Sequence, residues 1–121
     1  MARQSTVLLV EDDGDVRAAL AEVLYTKGFK VLAASDGYEA IRLLTEHFVD
    51  VMLTDIIMPG VSGYELAAQA RLVQPSLRIL YTTGYDAAAP GREVASTHGK
   101  IIQKPIRADD LVSEIEQALG A

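Results

Sequence analysis

What most constrains this chain is an alternation: short apolar runs, separated by stretches whose apolar residues recur at helical spacing. The runs are "TVLLV" (6–10), "KVLAA" (30–34), "VDVMLT" (49–54), "RILYT" (78–82) and "KIIQ" (100–103). Several are continuous rather than alternating, as strands covered on both faces must be. After the first run, Val16, Ala19, Leu20, Val23 and Leu24 fall three and four residues apart, and Gly28 supplies a stop. Asp36 with Glu39 and Ser62 with Glu65 each set a capping residue three positions before an acid, the signature of a helix start. The last segment puts Leu111, Val112, Ile115, Ala118 and Leu119 on one face and ends at Gly120. In the fourth, "DAAAPGREVAST" (86–97), Pro90 and Gly91 stand where a helix should run, so it is expected to start late, be short or be mobile.

Strand and helix alternating in this way give an α/β domain, with a parallel sheet covered by helices on both faces. The 121 residues are the length of one domain, 1–121, with no repeat, low-complexity tract or linker-like segment to divide it. There is no cysteine, which excludes thiol catalysis, Cys-ligated zinc and a disulfide framework. A formal net charge of −6 without any Lys/Arg cluster argues against direct nucleic-acid binding. The apolar run near the N-terminus is too short for a signal peptide core or a membrane span, so the chain reads as cytoplasmic, with no membrane partner.

In such sheets the working site lies beyond the carboxyl ends of the strands. Glu11, Asp12 and Asp13 follow the first strand, Asp55 the third, Thr82 and Thr83 the fourth, and Lys104 the fifth. Like charges about 4 Å apart repel by ~4 kcal/mol at an effective dielectric of ~20, so clustered acids call for a cation in their midst. Carboxylate oxygens without His or Cys suit a hard divalent cation, Mg²⁺ above all. A lysine and a hydroxyl are groups that hold phosphoryl oxygens, and a carboxylate between the two sets could act as a nucleophile. The whole reads as a phosphoryl-transfer cradle. Taken singly, each residue has an ordinary explanation: the acids as a helix N-terminus, Asp55 as a turn residue, Lys104 as a solvated surface lysine. Their joint placement at the ends of different strands outweighs those explanations.

The motifs "LLVEDD", "LTDIIMPGVSGYEL", "ILYTTG" and "IIQKP", in this order, make the sequence similar to the receiver (CheY-like) domain of two-component response regulators, over Val7 to Leu119. The resemblance implies a flavodoxin-like doubly wound (βα)5 three-layer sandwich with sheet order 2-1-3-4-5. It implies that Asp55 is the phosphoacceptor and that Mg²⁺ is bound by Asp12, by Glu11 mainly through water, by Asp55 and by the backbone carbonyl of Ile57. Thr83, the threonine directly before Gly84, matches the switch hydroxyl, Lys104 would pair with the phosphoryl group, and the Lys104–Pro105 bond is expected to be cis. The phosphodonor would be a histidine kinase or a histidine phosphotransfer domain, and the output an unspecified protein target. No catalysis on an external substrate is implied. "YTTGYD" and "IIQKP" are similar to receivers attached to hybrid sensor kinases, and a stand-alone regulator fits equally.

Two features depart from the family's habit. Ile101 stands where an aromatic ring is usual, three residues before the lysine, which leaves the usual relay absent. Ile57 and Tyr85 occupy positions that tune hydrolysis, and both are bulky and unable to act as a strong base, so a long-lived phosphoryl group is expected. Two other readings compete. One is a phosphate-independent pseudo-receiver, which the complete set of acids, hydroxyl and lysine disfavours. The other is a metal-dependent phosphohydrolase with an aspartyl nucleophile, disfavoured because Arg17 falls where that class has a hydroxyl or apolar residue and because the chain is too short for a substrate cap. His47 and His98 read as surface imidazoles, Met52 and Met58 as packing, and Phe29, Tyr38 and Tyr64 as half-buried anchors.

Overall fold

The computed structural model describes residues 4–84 and 100–120. Five parallel strands, β1 (Thr6–Val10), β2 (Lys30–Ala34), β3 (Val51–Asp55), β4 (Arg78–Thr83) and β5 (Lys100–Gln103), form one sheet in the order β2-β1-β3-β4-β5. The described helices are α1 (Gly14–Thr26), α2 (Gly37–Glu46), α3 (Gly63–Val73) and α4 (Ala108–Ala118). This is the doubly wound arrangement, with the strand order, that the resemblance implied. The stretch from Tyr85 to Gly99, with its expected weak helix and with Tyr85 and His98, lies outside the described residues.

β1 and β3 are buried at every position, which explains their continuous apolar runs. Leu8, Val10 and Met52 face one core with Leu44, Leu66, Ala70 and Tyr81. Val7, Leu9, Val51 and Leu53 face the other with Leu20, Leu24, Leu111 and Ile115. Helices therefore cover both faces, α2 and α3 on the first, α1 and α4 on the second. β2 is an edge strand and correspondingly more exposed.

The caps fall where the sequence placed them. The Asp36 carboxylate accepts from Glu39 N at 2.8 Å, and Ser62 with Glu65 forms a complete capping box. Asp13 caps α1, accepting from Asp15 N at 3.0 Å and Val16 N at 3.2 Å. Gly28 takes φ +95° beyond α1, the left-handed turn that glycine adopts without steric cost.

Three details differ from the sequence reading. β3 starts at Val51 rather than Val49 and runs on to Asp55. The Asp50 carboxylate takes the Thr6 N–H at 2.7 Å and Val49 N bonds to Gln74 Oε1 at 3.1 Å, so this segment enters the sheet as a side-chain-held turn. β4 extends to Thr83. Tyr38 is no half-buried anchor but is 85% exposed, because α2 turns Gly37, Ala40 and Leu44 inward and Tyr38 lies off that stripe. Tyr64 is half-buried, as read, whereas Phe29 is buried outright in the core.

Candidate functional site

Parallel strands put all their carboxyl ends at one edge, and the polar residues that end them meet there. Glu11 directly follows β1, where its N–H bonds to Ala34 O at 3.1 Å and its side chain is carried into the sheet's shadow, 2% exposed. Asp55 is the last residue of β3, in register with Thr82 of β4, and is buried. Lys104 follows β5, held by its N–H to Thr83 O at 2.7 Å, and the Lys104–Pro105 bond is cis, as expected.

The acids and the lysine converge. Lys104 Nζ lies 2.7 Å from Glu11 Oε1 and 2.9 Å from Asp55 Oδ2, so a single ammonium bridges two buried carboxylates from different strands. Burial alone pulls the Lys104 pKa down, but the hydrogen bonds and charges of Glu11 and Asp55 outweigh it and leave the ammonium raised above its ordinary value. Asp12 is exposed at the rim, and a carboxylate oxygen of each of Glu11, Asp12 and Asp55 lies within 4.8 Å of the others. Thr83 is buried at the end of β4.

Charge and donor type fit a hard cation. Three carboxylates and one ammonium leave a net of two negative charges, which one divalent ion cancels. All the side-chain donors are oxygen, the ligand type that Mg²⁺ prefers. The repulsion among the clustered acids is thereby answered in part within the chain itself, since a cation in their midst is Lys104. Asp13 stands apart as a cap for α1, its own N–H donating to Glu11 Oε2 at 3.1 Å.

Several supporting contacts carried no sequence signal. Arg17, one turn into α1, donates from Nη1 to the Glu11 carbonyl at 2.7 Å and so fastens the end of β1 to the helix. Gly63, the first residue of α3, sits so close that an added Cβ would collide with the Asp55 carbonyl, and its N–H donates to Ile56 O at 2.7 Å. Thr54 Oγ1 donates to Asp55 O at 3.1 Å. Ile57 N approaches Asp55 Oδ1 at 3.4 Å, and its side chain is 55% exposed beside the acids. Among the described residues no helix is long and apolar enough to cross a membrane.

Comparison with known proteins agrees with this geometry. The family model described as "Response regulator receiver domain" matches residues 7–116. The response regulator receiver protein CpdR of Brucella abortus (strain 2308) is 39% identical over 116 residues, covering 95% of this chain and 97% of that protein. The sensor kinase CckA of the same organism is 29% identical over 122 residues, 98% of this chain but only 13% of the kinase, so the chain also resembles a small part of much longer proteins. A CheY-like receiver from Methanospirillum hungatei JF-1 superposes with a TM-score of 0.89 at 26% identity, covering 98% of this chain and 95% of that one. The receiver domain of the hybrid histidine kinase CckA gives 0.82 at 31%, covering 95% and 99%. With a match running from the first strand into the last helix and a sheet of the same order, the chain belongs to the response regulator receiver domain family, the phosphoacceptor switches of two-component signalling.

Proposed function

We propose that Asp55 is the phosphoacceptor, taking a phosphoryl group from the phosphohistidine of a histidine kinase or histidine phosphotransfer domain. The observation that carries this reading is the Lys104 ammonium, which binds Asp55 Oδ2 at 2.9 Å and Glu11 Oε1 at 2.7 Å beside Asp12. Of the clustered acids, Asp55 alone belongs to the strand between the acidic loop and the Thr83 strand end. A carboxylate oxygen of Asp55 attacks phosphorus, the phosphorus–nitrogen bond breaks, and the donor imidazole leaves with the electron pair.

Asp12, Asp55, the Ile57 carbonyl and Glu11, the last mainly through water, would hold Mg²⁺. When bound, that ion supplies charge neutralisation for the phosphoryl oxygens. Lys104 is already charged and in place, so it pairs with a phosphoryl oxygen by a short shift from Asp55. The Thr83 hydroxyl ends the neighbouring strand and takes a second oxygen. These charge-assisted bonds bias the domain between two surface arrangements, and a downstream protein reads the difference. We read residues 1–121 as one receiver domain working in the cytoplasm and acting on no external substrate.

The test is intact-protein mass after incubation with acetyl phosphate. Wild type with Mg²⁺ is expected to gain one phosphoryl mass, and Asp55→Asn, or wild type with chelator, to gain none. No adduct on wild type, even from a phosphohistidine donor, would overturn the reading in favour of a phosphate-independent interaction module.

A further inference from the structure

Tyr81 is fully buried, its ring set edge-on to Tyr64 with centroids 5.1 Å apart and planes at 63°. Among the described residues its hydroxyl has no hydrogen-bond partner. Buried polar groups are overwhelmingly partnered, and an orphan loses the hydration it had in the unfolded chain with nothing in return. A phenylalanine would fill the same space without that loss. Burial pushes the phenol's pKa up, against a pull downward from the nearby Arg71 charge and a smaller push from Tyr64, so the hydroxyl stays protonated.

Its position connects it to the site on two sides. Tyr81 lies in the cross-sheet row Val10, Thr54, Tyr81, Ile101, one residue before the row of Asp55 and Thr82. Strand alternation puts it on the same face as Thr83, two residues on. Its ring partner Tyr64 follows Gly63, which is pressed against the Asp55 carbonyl. One ring pair thus touches both segments that flank the phosphoacceptor, the end of β4 and the turn from β3 into α3.

We propose that Tyr81 is a positioning residue of the switch: its hydroxyl, without a partner among the described residues, weighs against the unphosphorylated arrangement and gains a hydrogen bond when the Asp55 turn and the Thr83 strand end rearrange around a phosphoryl group. This rests on Asp55 being the phosphoacceptor. Phosphorylation then relieves a cost built into the resting state, and the size of that relief sets how far the equilibrium moves.

The experiment compares wild type with Tyr81→Phe in urea unfolding without ligand and in binding of beryllofluoride with Mg²⁺, a phosphoryl mimic. Tyr81→Phe is expected to raise the unfolding midpoint of the unliganded protein and to weaken beryllofluoride binding about tenfold, ~1.4 kcal/mol. A merely structural hydroxyl would shift the midpoint and leave the binding alone. An unchanged or lowered midpoint, or equal binding by both proteins, overturns the proposal while the Asp55 reading stands. No beryllofluoride binding by wild type refutes the Asp55 reading, and the proposal with it.

Discussion

The Lys104 ammonium lies 2.9 Å from Asp55 Oδ2 while it also holds Glu11, so the lysine is a counter-ion of the acid cluster. Removing it strands two buried carboxylates. Lys104→Met is expected to cost about 2 kcal/mol, below the usual 3–5 for breaking a fully buried pair because the Lys104 side chain is 23% exposed. The site then carries one more negative charge, so Mg²⁺ binds the variant more tightly and restores a larger share of its stability. Urea midpoints with and without Mg²⁺ measure both effects, and a variant as stable as wild type without metal contradicts the counter-ion role.

The same bridge predicts an alkaline limit. The folded-state pKa of Lys104 is raised above its ordinary 10.5, so the folded protein holds this proton more tightly than the unfolded chain. Its contribution is fully present below the unfolded pKa and is lost as pH rises through the folded value. Tyr64 and Tyr81, raised above 10.0 mainly by burial, act in the same direction. Stability is therefore expected to fall above about pH 10, and the part belonging to Lys104 is the part that disappears in Lys104→Met. Urea midpoints of the two proteins between about pH 8 and 12 give that difference, which should narrow as pH rises.

Gly63 fixes the distance between α3 and the end of β3 at Asp55. A Cβ there meets the Asp55 carbonyl and the Ile56 Cα, backbone atoms that cannot rotate aside. Gly63→Ala is expected to lose about 1–3 kcal/mol and to slow phosphorylation, because relief of the clash displaces the Asp55 turn. Gly14→Ala is the control: its Cβ would stand 3.6 Å from Arg17 Nη2, an ordinary contact, and alanine favours the helix it begins. Its midpoint should stay level or rise. Equal losses in the two variants would show that the close approach at Gly63 is not what matters.

The sheet was legible because its inner strands leave no face for water, so "TVLLV" and "VMLT" betray themselves without any periodicity. The candidate site was legible for a related reason: Asp55 and Thr83 end their strands, Glu11 and Lys104 directly follow theirs, and parallel order brings strand ends together. What stayed hidden depends on side-chain direction. Arg17 reaches the Glu11 carbonyl by folding back over Gly14, a rotamer that no spacing announces. Tyr38 and Tyr81 are the same residue type, yet one is 85% exposed and the other fully buried. Half a turn of helix phase decides the first, and a pairing across three strands decides the second. Asp13, third in the acidic run, caps α1 through Asp15 N and Val16 N because it is the residue directly before the helix.

The lifetime of a phosphoryl group on Asp55 depends on what guards its rim. Ile57, two residues past Asp55, is 55% exposed at the rim, and its N–H points to Asp55 Oδ1 at 3.4 Å. A water attacking the phosphoryl group must be oriented by an acceptor or donor, and a branched hydrocarbon offers neither while shielding the approach. The aspartyl-phosphate is therefore expected to persist for minutes or longer, and Ile57→Asn, whose amide can hold a water, to shorten it about tenfold, ~1.4 kcal/mol of barrier. Stability should barely change, since an exposed rim residue contributes little burial. The decay of the phosphoryl adduct, followed by intact mass after donor removal, gives both lifetimes. Wild-type adduct gone within seconds, and no faster in Ile57→Asn, would show that water reaches the phosphoryl group by a path the isoleucine does not guard.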